Sequence, residues 1–525
     1  MIRSHILRNV LAKTHKPYPV LKELQMAIQM VNIIFGMKVR QARSEAGLTL
    51  SEFAQACDLS PSYVTEIEKG RKYPRSDKII KMAAVLAKDY DELVSIRLPP
   101  SLTYLESALS SSVVQRFPFE EFGFEAGDLV NLLTRKPDRA SALLHAVLDV
   151  ARRYNLREEE FLRAALRSYQ EIHENYFPEL EDAVSRFVAE SDKNYALEEG
   201  DSIKLATLEA MLRDTYDYTI DDTSLASTPE LSSYRSVFIP GKKPKLFINN
   251  ALYSRQVKFI LARELGYRYL DLKERSQTST PEKINTFEQL LNDFKAAYFA
   301  GALLMPQTPF LEHLQTFFSA PGWQPKLLLN MLTKYNVTPE MLFYRFSELV
   351  PEFFGLKLHF LRFHYTGGSS NYQLIKHLNM NQLLVPSGIG LQEHYCRRWL
   401  SIRLLREITV HGVPRSVEEM PIGAQLSEFL ESQDKFLSIG FARQLVLSPD
   451  IYSSVVVGFR IDAAVSKTIR FLEDPGIPHV IINETCERCP LTLAQCHLRA
   501  TEPKLIQERE RIQAKKLAID MLREN

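Results

Sequence analysis

The chain has 525 residues, 45% of them apolar and 25% charged. This is the make-up of an ordinary globular protein with length for roughly three or four domains. With 65 Lys and Arg against 64 Asp and Glu, the formal charge is +1, so a nucleic-acid partner has to be signalled locally and not by the whole chain. The longest uncharged apolar runs, such as "AAYFAGALLMP", fall short of the ~20 residues that span a bilayer, so no membrane partner is expected. Five cysteines are too few for a disulfide framework and point to a reduced compartment.

The first 24 residues are basic, with no acidic side chain before Glu23, but they lack the apolar core of a secretory signal. Met26, Met30 and Met37 are alternative starts, and 1–35 reads as an extension of a cytoplasmic protein.

Residues 36–100 show helix-length segments with clear stops. Gly47 ends one helix, and Thr49 can N-cap a second that reaches about Cys57. Asp58 and Leu59 make a short turn; Ser60 caps the next helix with Pro61 at its first position, and Gly70 stops it. Val64 and Ile67 face inward, which leaves Ser62, Tyr63, Thr65 and Glu66 outside or at the edge. Two short helices with polar residues at the start of the second suit the major groove of double-stranded DNA. Arg71, Lys72 and Arg75 follow and can neutralise phosphates. The candidate DNA contacts are therefore Thr49, Ser60, Ser62, Tyr63, Thr65, Glu66, Arg71 and Lys72. Cys57, at a small apolar position, reads as core. On "LTLSEFA", "LSPSYVTEIEKGRKYP" and "IIKMAAVLA" the stretch resembles the repressor-type helix-turn-helix family. It departs from that family at Leu50, where glutamine is usual, and at Asp58, where glycine is usual.

Residues 101–195 have helical period almost throughout, with Leu129, Leu132, Leu133, Leu143, Leu144, Val147 and Val150 supplying apolar faces. They read as a helical linker with a dimerising role.

From 196 to 350 the pattern changes. "TYDYTIDDTS", "YRSVFIP" and "KLFINNAL" read as short strands, with "GKKP" a hairpin loop. Helices follow over "SRQVKFILARELGYRYL" and "FEQLLNDFKAAYFAGALLMP". In the first, Arg263, Glu264 and Tyr267 occupy the positions that H-E-x-x-H gives to two zinc ligands and a general base. The combination is similar to the ImmA/IrrE family of zinc metallopeptidase-like domains. Arginine repels a dication and a phenol ligates it poorly, so no catalytic zinc is expected and the domain reads as a degenerate, non-enzymatic relative. Lys295 and Ala297 stand where that family carries a Glu-Ala-Asn run, leaving Asp293 as the nearby acid. A slot that has lost its metal, with Arg263 beside Tyr267, suits an anionic small molecule.

In 351–510 the signal is "INETCERCPLTLAQCHLRATEP". Cys486 and Cys489 form a C-x2-C pair, Cys496 follows, and Cys396 is the remaining cysteine outside the DNA head. His497 is poorly placed to share a centre with its neighbour Cys496. By spacing, the four thiols suit either structural zinc or an iron–sulfur cluster. Residues 511–525 read as a C-terminal helix.

The order of these parts, with "NYFPELEDA", "YFAGALLMP", "HFLR" and the terminal C-x2-C…C, resembles the short-chain fatty acyl transcriptional regulators. The resemblance implies coenzyme A or acyl-CoA as effector and a four-iron four-sulfur cluster on the C-terminal cysteines. The expected fold is α+β and predominantly α: helix-turn-helix, helical linker, degenerate zincin-like ImmA/IrrE domain and C-terminal α/β cysteine-cluster domain. The expected function is an operator-binding homodimer that senses a short-chain acyl-CoA. The alternatives are an ImmA-type zinc peptidase that cleaves a repressor, and a phage- or toxin–antitoxin-type regulator with no metabolite.

Overall fold

The computed structural model describes residues 31–32, 34–95, 119–122, 158–195, 203–225, 227–279, 284–386, 393–414, 416–501 and 504–524. The apolar positions Leu129 to Val150 expected in the linker lie outside them, as do residues 1–30. The chain divides into two compact units, Met1–Ala165 and Leu166–Asn525.

Among the described residues of the first unit, five helices surround one core: α1 (34–45), α2 (Leu50–Ala56), α3 (Pro61–Glu68), α4 (Ser76–Val85) and α5 (Tyr90–Val94). Phe35, Phe53, Val64, Ile67, Ile79 and Met82 fill it. The stops fall where the sequence put them. Thr49 and Glu52 form a reciprocal capping box that starts α2. Asp58 makes the turn in the left-handed region at φ 57°, which a short polar residue tolerates. Ser60 caps α3, with Pro61 at its first turn. Arg43 donates to both carboxylate oxygens of buried Glu68 (2.6 and 3.0 Å) and to the Leu48 carbonyl, which fastens α1 to α3. Cys57 is fully buried and its thiol is pushed up to about 11 by burial, as befits a core residue.

The second unit carries α6 (Glu158–Ile172, which begins before the division), α7 (Pro178–Tyr195) and α8 (Leu205–Ala210), followed by strands β1 (Thr219–Asp221), β2 (Ser236–Ile239) and β3 (Lys245–Ile248). These strands make a small sheet of order β1-β3-β2, with β2 and β3 antiparallel around the "GKKP" loop. Helices α9 (Ser254–Tyr269), α10 (Phe287–Leu304), α11 (Gln307–Phe318), α12 (Pro325–Tyr335) and α13 (Pro339–Phe354) follow. Gly266 lets α9 and α10 touch, since a Cβ there would lie 3.1 Å from the Ala296 carbonyl and from the Phe299 ring.

Next comes a six-stranded sheet of order β5-β4-β8-β7-β6-β9. Its strands are β4 (Leu358–Thr366), β5 (Tyr372–Asn379), β6 (Ile422–Phe429), β7 (Lys435–Gln444), β8 (Ile451–Arg460) and β9 (His479–Ile482). Side chains alternate between its faces. Phe360 and Phe441 meet Tyr344 and Phe343 of α13 on one side. On the other, Leu361, Phe363 and Val456 pack toward α14 (Leu400–His411). The chain continues through α15 (Ala463–Thr468), and the described part closes with α16 (Lys504–Glu524). The helical N-terminal reader and the mixed α/β remainder agree with the expected α+β class. Among the described residues no helix is long and apolar enough to cross a membrane.

Candidate nucleic-acid interface and regulatory sites

At the start of α3 the hydroxyls serve the helix first. Ser60 Oγ accepts from the Tyr63 N–H (3.2 Å) and lies 3.1 Å from Ser62 Oγ, while Thr65 Oγ1 donates to the Pro61 carbonyl at 2.9 Å. Thr49 Oγ1 caps α2 by accepting from the Glu52 N–H at 3.2 Å. Ser60, Ser62 and Thr49 are exposed; Tyr63, Thr65 and Glu66 are half-buried. Glu66 pairs with Arg71 at 3.3 Å, which holds that arginine against the helix. Lys72 and Lys78 stand 5.8 and 4.9 Å from the centre of the Tyr63 ring. Lys78 carries no local signal in the sequence, because it lies on the next helix. The outcome is a polar helix start bordered by exposed Arg71, Lys72 and Arg75. This is the arrangement by which a helix reads base edges while basic side chains fix its register on phosphates.

The slot at the H-E-x-x-H positions is filled from within. Glu264 accepts two hydrogen bonds from the Arg275 guanidinium (2.7 and 2.5 Å) and one from Tyr218 Oη (3.2 Å). Arg275 lies between the Tyr267 and Phe238 rings, 3.6 and 3.9 Å from their centres. Arg263 donates to Tyr267 Oη (3.1 and 2.6 Å) and approaches Asp293 (3.8 Å), and Tyr267 Oη donates to Asp293 at 2.5 Å. The Ser276 N–H (3.0 Å) and hydroxyl complete the Asp293 shell. Burial first, and then the Glu264 charge, push the Tyr218 phenol up to about 12. Burial raises Tyr267 further still, so both phenols stay protonated at neutral pH.

Glu264 is thus held by a guanidinium and has no freedom to serve as a base. The sequence offered Arg263 to an anionic ligand; the structure gives it Tyr267 and Asp293 instead. Nothing in the sequence marks Arg275 as the residue that closes the slot, because it lies in a turn and not on α9. Arg275 also lines a cleft of about 670 Å³ with Tyr234, Glu274, Gln277, Thr286 and Gln289.

At the cysteine end, Tyr395 bridges Thr485. The Cys396 N–H donates to the Glu484 carbonyl (3.2 Å) and the Cys486 N–H to the His394 carbonyl (2.8 Å). All four thiols are buried and none forms a disulfide. His497 is exposed beside buried Cys496. Cys486 Sγ accepts from the Ala500 N–H at 3.4 Å. Burial raises the Cys396 thiol, while backbone N–H donors of Asn483 and Arg398 pull the other way. Among the described residues, buried donors beside them lack partners: Nη1 of Arg397, Nε and Nη2 of Arg398, and Nδ2 of Asn483. Among the described residues no group of three or more His, Cys, Asp or Glu is gathered tightly enough to hold a metal ion. Buried N–H donors without acceptors are costly unless a negative charge faces them, and a thiolate-bound anionic group at these cysteines would supply that charge.

The stretches "NYFPELEDA" and "YFAGALLMP" meet in a buried network. Asn175 and Glu181 of "NYFPELEDA" bond Ser347 (3.0 Å) and Arg345 (2.6 and 2.9 Å) of α13, and Tyr298 of "YFAGALLMP" donates to Glu181 at 2.8 Å. Arg345 also binds Glu348 at 2.9 Å. One guanidinium cannot neutralise two carboxylates, and burial first of all raises Glu348 to about 8.

This reader and this scaffold define a helix-turn-helix DNA-binding protein with a mixed α/β body. Residues 39–93 match the helix-turn-helix family and residues 217–347 the IrrE N-terminal-like domain of peptidase M78. The control protein C.BamHI of Bacillus amyloliquefaciens is 32% identical over 65 residues, which are 12% of this chain and 80% of that protein. A Mycobacterium tuberculosis transcriptional regulator is similar at 18% identity and a TM-score of 0.42, over 62% of this chain and 90% of that one. The chain belongs to the helix-turn-helix family and is a DNA-binding transcriptional regulator.

Proposed function

We propose that this regulator is a cytoplasmic homodimer that binds a palindromic operator and senses a short-chain acyl-CoA-type metabolite, so controlling short-chain fatty acid metabolism. The observation that carries the DNA half is the exposed start of α3 with Arg71, Lys72 and Arg75 beside it. The effector half rests on the domain order and on the cleft beside Arg275. Binding there shifts the spacing of two heads and so the fit to two half-sites.

Cys396, Cys486, Cys489 and Cys496 would hold a four-iron four-sulfur cluster, with structural zinc as the alternative. When bound, such a cluster supplies one-electron redox sensitivity. The peptidase reading is favoured by the IrrE-like match. It is opposed by Arg263 and Tyr267 at the ligand positions and by the pairing of Glu264 with Arg275.

The test is operator affinity titrated with acetyl- and propionyl-CoA. A shift in affinity is expected; no shift with any thioester leaves a regulator without a metabolite. Peptide hydrolysis on adding zinc would favour the protease. Anaerobically purified protein is expected to be brown, whereas colourless protein with one zinc overturns the cluster.

A further inference from the structure

A second set of charges gathers where the first turn of α13 meets the face of the six-stranded sheet opposite α14. Glu340 accepts from Arg362 Nη1 at 2.7 Å, and Arg362 also donates to His364 Nε2 (3.1 and 3.0 Å). Lys376 sits directly opposite Arg362 in the β4–β5 register, a pairing of like charges that is unfavourable by itself. Its Nζ rests 3.7 Å from the centre of the Tyr344 ring. Arg443 of β7 shares a row with His364 of β4 through Ser453 of β8. Arg235, just before β2, brings a fourth cation from the IrrE-like region.

The charges of Arg362, Lys376, Arg235 and Arg443 hold the Glu340 carboxyl far below the usual range despite its burial. Arg443 is pulled down to about 10 by burial, with Arg235, Arg362 and Arg255 adding to it against Glu340. Among the described residues, neither the Arg235 nor the Arg443 guanidinium has a hydrogen-bond or ion-pair partner. Four cations face one carboxylate, and an arginine does not shed its proton at neutral pH. Such an excess in a half-buried place carries a cost that a bound anion would relieve.

We propose that Arg235 and Arg443, with Lys376 at the rim and Arg362 fixed against Glu340 beneath them, form a binding site for the phosphate or diphosphate group of a small ligand. A single carboxylate would leave most of the excess uncompensated, whereas a diphosphate matches it and presents oxygens to two guanidinium forks. Arg362 and Glu340 are 14% and 21% exposed, which admits a small group but not a duplex backbone. Assigning that phosphate to an acyl-CoA rests on the effector reading above; the site itself does not.

The experiment is calorimetric titration of the full chain with inorganic pyrophosphate and, separately, acetyl-CoA. It compares wild type, Arg235→Gln, Arg443→Gln and the control Arg460→Gln, whose arginine pairs with Asp434 elsewhere. Pyrophosphate is expected to bind wild type and Arg460→Gln alike, and about 10- to 100-fold more weakly to the other two variants. Equal binding to all four proteins, a loss equally large in Arg460→Gln, or no binding of either probe to wild type overturns the site. Parallel losses for acetyl-CoA place its phosphates here. Acetyl-CoA bound equally by all four proteins, with pyrophosphate binding none of them, overturns the site and leaves the effector reading standing. Loss of pyrophosphate in the two variants, with no acetyl-CoA binding to wild type, supports the site and overturns the acyl-CoA effector.

Discussion

Two buried collections of charge in the second unit differ in one respect. Around Glu264 every ionised group has an internal partner: Arg275 for Glu264, and Asp293 with Tyr267 for Arg263. Around Glu340 the cations outnumber the acids, and two guanidinium groups have no partner among the described residues. Paired charges close a site, because leaving either partner alone in low dielectric is expensive. Unpaired ones keep a site receptive. The contrast assigns the pairs around Glu264 to holding the domain together and, on the proposal above, the recognition of a phosphate to the unpaired cations around Glu340.

The sharpest way to break this comparison is stability, read by the fluorescence of Trp323 and Trp399, both in the second unit. Arg275→Met strands Glu264 and is expected to lower unfolding free energy in urea by ~3–5 kcal/mol, with Glu264→Gln in the same chain restoring part of it. A loss below about 1 kcal/mol would mean the pair is not what closes the slot.

Next is pH. Glu348 is raised above its unfolded value, so the native state holds its proton longer than the unfolded state does. Stability should therefore be greatest below about pH 4.5 for this group and fall as pH rises towards about 8, by at most ~1.4 kcal/mol per unit. Glu348→Gln should flatten that limb; an unchanged slope would locate the proton elsewhere.

Arg443→Gln is expected to leave ligand-free stability unchanged or raise it by up to about 1 kcal/mol, since it removes repulsion and no partner. A clear loss there would show that Arg443 is paired, as Arg275 is. The smallest effect is at the DNA head. Arg71→Ala and Lys72→Ala should each reduce the slope of log affinity against log salt by about 1 without changing sequence preference.

Much of this was legible in the sequence where local chemistry decides the structure. Thr49, Ser60, Pro61 and Gly70 gave the helices of the reader, and the left-handed turn at Asp58 followed from a short polar residue in glycine's place. The IrrE-like helices and the "GKKP" hairpin were equally plain. What escaped depends on contacts between distant residues. Arg275 reaches Glu264 from a turn, Glu181 reaches Arg345 across 164 positions, and Arg235 acts on Glu340 from another part of the fold. One local signal is present in the sequence: Arg362 and His364 alternate on a strand whose neighbours are buried on both faces. An arginine is kept in such a strand only with a partner in reach.

The most direct test of the account is the salt dependence of DNA binding by the full chain. The measurement is fluorescence anisotropy on a duplex selected from random sequence, between about 50 and 200 mM salt. The expected result is a palindromic site bound with a slope of about −0.9 for each phosphate neutralised, lowered in the Arg71 and Lys72 variants. Failure to retrieve any duplex, or a slope near zero, would contradict it.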